Sequence, residues 1–232
     1  MTAILSPAAR RAPVPGLSYE RRWWAEGAVV AGIDEVGRGA LAGPVTYCAV
    51  ILPRTRRLYK LRDSKVLEPS TRAELSERIE DVALGIGIGE AWNDEIDRVG
   101  MTVAIQRAAR RAIDALPIRP DVVLIDGKWD FLRSAGTINE LLVGGDGRSA
   151  SIAAASIVAK VRRDALMTRL CQGHPAYRFS SNKGYSAPEH LRALRTWGPC
   201  DLHRRTWAPV RKAEEPTLPF DWDLATLAGI ED

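Results

Sequence analysis

Three short apolar segments in this chain run directly into acidic residues. Ala28 to Ile33 (AVVAGI) ends at Asp34 and Glu35, Val122 to Ile125 (VVLI) ends at Asp126, and Ile138 to Val143 ends near Asp146. Segments this short, bounded by turn residues and rich in β-branched side chains, read as strands. If they lie side by side in one sheet, their ends gather several negative charges in one cleft. Without a cation those charges repel, and some must protonate. Mg²⁺ or Mn²⁺ resolves the conflict, because hard cations take carboxylate oxygen and water. Two such ions about 3.5–4 Å apart can activate water and stabilise the leaving oxygen of a phosphodiester. A single acid after a strand is commonplace, since chains turn at the surface; the repeated pattern is what carries weight. Adjacent strand residues face opposite sides, so Asp34 and Glu35 can share a site only if the strand end twists or bends.

The rest of the chain supplies a mixed α/β layout. Val45 to Leu52 reads as a second strand after a glycine-rich turn, Gly37 to Gly43, and Leu84 to Ala91 as a third, weakened by glycine. Helical spacing follows Pro69 at Leu75, Ile79 and Val82, and recurs over Asn93 to Leu116, with Gly100 a break and Pro117 a stop. Ala150 to Leu170 is apolar on more than one face and reads as a largely buried helix, with a further amphipathic helix at Ala187 to Trp197. Strands come early in pairs and helices late, which is not strict βαβ alternation. Three units are expected: a loose basic extension at 1–27, a main domain at 28–210, and an acidic, mobile tail at 211–232.

Several function classes fall away. The glycines of GRGALAG are spaced G-x-G-x-x-x-G, no acid lies between Glu35 and Asp63, and no GK[ST] occurs, so neither a dinucleotide loop nor a Walker loop fits. Glycines beside an acidic pair suit close approach of backbone to a sugar-phosphate instead. Three cysteines are too few and too sparse for a disulfide framework. Cys171 with His174 and Cys200 with His203 share a C-x-x-H spacing, yet a buried thiol or a surface histidine is the preferred reading over zinc. No secretory signal or spanning segment is visible, so a cytoplasmic protein with no membrane partner is expected. The formal charge of +4, with Arg supplying most of the 33 basic residues, is a weak pointer to an anionic partner.

Six fragments then occur in order: GIDEVGRGALAGPV, DSKVL, LIDG, AAASIVAKVRRD, KGY and HRRTWAPV. Together they resemble the type 2 ribonuclease H (ribonuclease HII) family from about Ala28 to Val210. The resemblance implies a ribonuclease H-like fold, a central mixed β-sheet flanked by helices with a C-terminal helical extension. It implies that Asp34, Glu35, Asp126 and Asp146 are the catalytic, metal-holding carboxylates for Mg²⁺ or Mn²⁺. Gly144 stands where the family often has Lys near the fourth acid, and Asp164 is a competing acid, expected instead to pair with Arg162 and Arg163. Gly37, Arg38 and Gly39 match the segment that meets the backbone around a ribonucleotide, and Tyr185 matches the tyrosine that helps read its 2′-hydroxyl, the group that separates RNA from DNA. Lys65 is expected to meet a phosphate. Asn182 stands where family members often have His.

The implied activity is cleavage of RNA in RNA–DNA hybrids, and cutting 5′ of single ribonucleotides embedded in duplex DNA, by a monomer. Removal of misincorporated ribonucleotides would be its role. The rivals are a DNA-junction nuclease of the same general fold, which needs no ribose reading, a non-catalytic hybrid-binding protein, which needs no complete carboxylate set, and a metal-dependent phosphatase acting on small phosphate esters.

Overall fold

The computed structural model describes residues 14–55, 61, 67–133 and 136–214. One mixed sheet carries the strands in the order β3-β2-β1-β4-β5. β1 (Val30–Val36) pairs antiparallel with β2 (Val45–Ile51), which pairs antiparallel with β3 (Gly85–Ala91). On the other side of β1, β4 (Val122–Asp126) and β5 (Ile138–Leu142) run parallel to it. β1, β2 and β4 are almost wholly buried because helices cover both faces, which is why their sequences are near-continuous apolar runs.

Helix α5 (Ala150–Leu170) lies across one face against β1 and β2. Its buried positions through Ala159 are mostly Ala, Ser, Ile and Val, and the small ones allow close approach. Gly32 completes the fit: a Cβ there would lie 2.3 Å from the Ser151 carbonyl carbon. On the opposite face, α4 (Met101–Asp114) lays Ala104, Ala108 and Ala112 against β3 at i, i+4 and i+8. The expected break at Gly100 separates it from α3 (Asn93–Val99), the glycine standing at φ 79°. Helix α2 (Pro69–Val82), which the 3.6-residue spacing anticipates, sits beside α5. Among the described residues no helix is long and apolar enough to cross a membrane.

The C-terminal part forms a separate small core at the far end of α5. Tyr177, Phe179, Leu194, Leu202 and Val210 close around Met167 there, together with Leu41 and Ala42 from the glycine-rich turn. They come from α6 (Phe179–Asn182), α7 (Pro188–Trp197), α8 (Ala208–Glu214) and the short turns between them. The glycine turn is therefore pinned between the sheet and this helical cap.

Two boundaries differ from expectation. The N-terminal extension is not loose over 18–25: those residues form α1 (Ser18–Ala25), whose Tyr19, Trp23 and Trp24 pack on the core under β1 and β4. Glu20 anchors it, fully buried, its Oε1 accepting from the Ser149 hydroxyl, the Ser151 amide and the Ser151 hydroxyl at 2.6–2.9 Å. A carboxylate at the first turn of α5 also meets the positive end of the helix dipole. At the other end, α8 carries ordered backbone past 210 to Glu214; residues 215–232 of the expected tail lie outside the described residues.

Candidate active site

The carboxylates meet where β1 and β4 end. Asp126 is one residue beyond the last β1–β4 pair, Ile33 with Ile125, which sets it beside Asp34. Strand alternation holds through Glu35. Asp34 is paired with Cys48 and points toward α5, where Ser156 bonds it, while Glu35 is paired with Tyr47 and points to the other face. They nonetheless share a cleft, because the chain turns away at Gly37 and the strand end itself is the cleft floor. Asp34, Glu35, Asp126, Gly37, Arg38, Gly39, Ser156, Lys160 and Tyr185 line this space of about 380 Å³.

Asp146 is held close but differently. It is buried in a short 3₁₀ turn, Gly145–Gly147, and the preceding Gly145 amide donates to Asp126 Oδ1 at 2.7 Å. It is not among the residues lining the cleft. Asp164 keeps apart, as expected, but its partners are Lys160 at 2.8 Å and Arg72 at 3.9 Å rather than Arg162 and Arg163. Arg162 pairs with Glu80. Lys65 lies outside the described residues.

The cleft is electrostatically strained. Burial, then the charge of Glu35, pushes the Asp34 carboxyl well above the usual carboxylate range; Asp126 adds to the rise, and the Ser156 hydroxyl opposes it. Tyr47, buried under Glu35, is likewise driven up, first by burial and then by the two carboxylates, and stays a neutral phenol. A divalent cation reverses the sense of each of these repulsions. The donor set is all carboxylate oxygen, the chemistry suited to Mg²⁺ or Mn²⁺ rather than to softer metals, so the residues fit such a cation.

One wall of the cleft is backbone. The carbonyls of Ala42 and Pro44 accept from the buried Arg163, which also donates to Lys183. The carbonyls of Gly37, Arg38 and Gly43 accept from the buried Arg204 at 2.7–3.1 Å. With those oxygens turned inward, amides are left for the cleft. The Gly37 amide donates to the Tyr185 hydroxyl at 3.1 Å, and among the described residues no acceptor meets the amides of Arg38 and Gly39. Gly37 is obligatory here: its φ is +84°, and a Cβ would meet Arg163 Nε at 2.1 Å. The Tyr185 ring stands 5.6 Å from the Arg163 guanidinium carbon and 5.8 Å from Lys160 Nζ.

Sequence reasoning did not assign Ser156, Lys160, Arg163 or Arg204 to the site. Arg163 carried a signal, since it lies four residues before Met167 on the buried side of α5, where an unpaired cation is costly. Arg204 carried none. The two C-x-x-H pairs do not converge on a common centre. His174, Cys200 and Asp201 form a group with donor atoms within 4.8 Å, whereas Cys171 turns to Ser180 and Cys200 to His203.

The chain is similar to known proteins over most of its length. The family described as Ribonuclease HII matches residues 31–210. Ribonuclease HII of Parvibaculum lavamentivorans is 45% identical over 223 residues, 95% of this chain and 82% of that protein. Ribonuclease HII of Pelotomaculum thermopropionicum is 49% identical over 197 residues, covering 83% and 73%. Among solved structures, ribonuclease H2 from Pyrococcus horikoshii superposes with a TM-score of 0.68 at 28% identity, over 80% of this chain and 97% of that one. The ribonuclease HII of the PCNA:RNase HII complex from Archaeoglobus fulgidus gives 0.68 at 25% identity, over 82% and 98%.

Proposed function

This chain belongs to the ribonuclease HII family, and we propose that its cleft hydrolyses the RNA strand of RNA–DNA hybrids and cuts 5′ of single ribonucleotides embedded in duplex DNA, leaving 3′-hydroxyl and 5′-phosphate ends. The observation that carries the reading is the meeting, in one cleft, of Asp34, Glu35 and Asp126 with Gly37, Arg38, Gly39 and Tyr185. Carboxylates alone would serve many phosphoryl-transfer enzymes. Backbone amides and a tyrosine at the same cleft give it a means to tell ribose from deoxyribose.

Asp34, Glu35 and Asp126 hold the cations, with Asp146 completing the set from its turn behind Asp126. Two Mg²⁺ or Mn²⁺ ions supply activation of water and charge neutralisation at the scissile phosphate. No side-chain nucleophile is required of the protein. Its own work is positioning: the amides of Arg38 and Gly39 meet sugar or phosphate oxygen, and the Tyr185 ring packs against the sugar. Arg38, exposed at the cleft mouth, Lys160 and Lys65 meet phosphates, so activity should weaken as salt rises. In the cell this chemistry removes ribonucleotides misincorporated during replication, by a monomer in the cytoplasm.

The test is cleavage of a labelled DNA duplex with one ribonucleotide, beside the same duplex in DNA only, with Mg²⁺ or Mn²⁺. A single cut 5′ to the ribonucleotide, absent from all-DNA and lost in Asp34→Asn, is expected. Equal cutting of both duplexes would remove the ribose-reading role of Gly37, Arg38, Gly39 and Tyr185 and favour a DNA-junction nuclease. Tight binding without cutting would favour a hybrid-binding protein.

A further inference from the structure

The hydrogen bonds behind Tyr185 leave no choice about where their protons sit. The Tyr185 carbonyl lies 2.8 Å from His190 Nδ1. A carbonyl only accepts, so His190 carries its proton on Nδ1, and in the neutral ring Nε2 is then a bare acceptor. That Nε2 lies 2.9 Å from His203 Nε2, which must therefore be the protonated nitrogen of its ring. His203 Nδ1 is left as an acceptor, and it faces two donors: the Cys200 amide at 3.0 Å and the Cys200 thiol at 3.1 Å. One directed line of bonds thus runs from Cys200 through His203 and His190 to the peptide that carries the Tyr185 side chain.

Both imidazoles are fully buried. The rings around them are Tyr177, 4.8 Å from His203, and Phe179, 5.3 Å from His190. The titratable and charged groups facing the pair are Cys200, Tyr177, His174, Glu189 and Arg205. Burial holds both histidines below their ordinary pKa, so the neutral pair is the form at physiological pH. Packing alone does not explain it, because two apolar rings would fill this aromatic pocket without the need to satisfy four ring nitrogens.

The far end of the line gives the reason. Tyr185 O also accepts from the Ala187 amide, and the Tyr185 amide donates to Asn182 O. The peptide is fixed on every side, in a turn where Lys183 and Gly184 both take positive φ. From this fixed backbone the phenol accepts from the Gly37 amide at 3.1 Å.

We infer that His190 and His203 are positioning residues for Tyr185: as a neutral, proton-ordered pair they lock its peptide and so hold the phenol against the Gly37 amide, where it meets the ribonucleotide sugar. The inference rests on the ribonuclease reading of the cleft.

A double-mutant cycle tests it. His190→Phe keeps the ring and removes the donor to Tyr185 O. It should lower kcat/KM on the single-ribonucleotide duplex about tenfold or more. In a Tyr185→Ala background the same change should cost less than about twofold, because the group it positions is gone. His190→Asn, which can restore an N–H near Nδ1, should recover part of the loss. Equal losses with and without Tyr185, or no loss in the single variant, would overturn the inference. If His190→Phe does not fold, His203→Gln enters the same cycle. Hydrogen exchange over 183–187 gives a readout independent of catalysis: it should quicken in His190→Phe, and unchanged exchange also counts against the pair. A wild-type protein that fails to cut the ribonucleotide duplex removes the function reading instead, and the exchange result still decides whether the pair fixes Tyr185.

Discussion

The acidic strand ends and the glycine turn face each other across one cleft and are built on opposite terms. On the acidic side like charges sit together, and burial with Glu35 pushes Asp34 far from its ordinary titration. On the glycine side two fully buried guanidiniums form no salt bridge with a carboxylate among the described residues, yet each is met by backbone oxygens, three for Arg163 and three for Arg204 through four bonds. In the first region like charges crowd together, a repulsion that a divalent cation would reverse. The second is completed within the chain. On the proposed ribonuclease reading, a region that exchanges ions gains from strain, and one that measures a sugar gains from having no freedom.

The largest effect expected from breaking this contrast is at Asp34. Asp34→Asn keeps an oxygen to accept from the Glu35 amide, now 2.8 Å from Oδ1, and removes one charge. Nuclease activity should fall by more than about 100-fold, the upper end of what losing a residue that merely supports a metal's ligands costs. In a chelator the variant should melt higher than wild type, because the repulsion is gone. Added Mg²⁺ should raise the wild-type Tm and leave the variant's nearly unmoved. A variant that melts lower in chelator would mean that the acidic side is not strained.

Next comes the opposite perturbation. Arg204→Met keeps the bulk but deprives the Arg38 and Gly43 carbonyls of their donor, while the Gly37 carbonyl keeps the Ala40 amide at 3.2 Å. At about 1–3 kcal/mol for each buried group left unmet, the loss should be about 3 kcal/mol, a fall of roughly 6–12 °C in Tm for a chain of this size. Arg204→Lys should recover little, since a single ammonium cannot reach three carbonyls as a planar fork does. Metal-dependent stabilisation should survive in both, which thermal melts with and without Mg²⁺ will show.

The same contrast marks what the sequence could reveal. β1, β2, β4 and the long helix α5 were visible because they are buried on most sides and so nearly unbroken in apolar residues. Asp34, Glu35 and Asp126 were visible because they interrupt those runs. Helix α1 was not: eight residues rich in Arg and Trp have no clear stripe, and their anchor, Glu20, finds Ser149 and Ser151 only in the folded chain. Arg163 is expected from the sequence to pair with Asp164, and Arg204 has no expected role, since nothing local says that carbonyls some 120 to 170 residues away will accept from them. The C-x-x-H spacings did single out Cys200 and His203, as a zinc pattern set aside for a buried thiol or a surface histidine; the contact they make is a hydrogen bond that continues to His190. That link crosses from one helix to a loop, and no periodicity records it.

The smallest effect is in the pH dependence of stability, where the two regions pull in opposite directions. His203 is held at about 4 in the folded chain against 6.5 ordinarily, chiefly by burial and then by His190. A depressed histidine is neutral when folded and takes up a proton on unfolding. Its contribution is therefore complete above about 6.5 and is lost as pH falls toward 4, with a slope of at most about 1.4 kcal/mol per pH unit for one proton. Asp34 has the other sign. Its folded pKa is raised above 3.8, so its contribution is complete below that value and is lost as pH rises through the folded pKa. Acidifying the metal-free protein should relieve the strand ends while it loosens the support of Tyr185, and the wild-type curve between pH 6.5 and 4 should be flatter than either part alone. Asp34→Asn should steepen the acid loss, and His203→Gln should remove the part that the histidine contributes. Urea melts across that window separate the two. Curves that stay parallel in all three proteins would show that neither group titrates as its surroundings require, and the division between a strained acidic side and a neutral, ordered glycine side would fall with them.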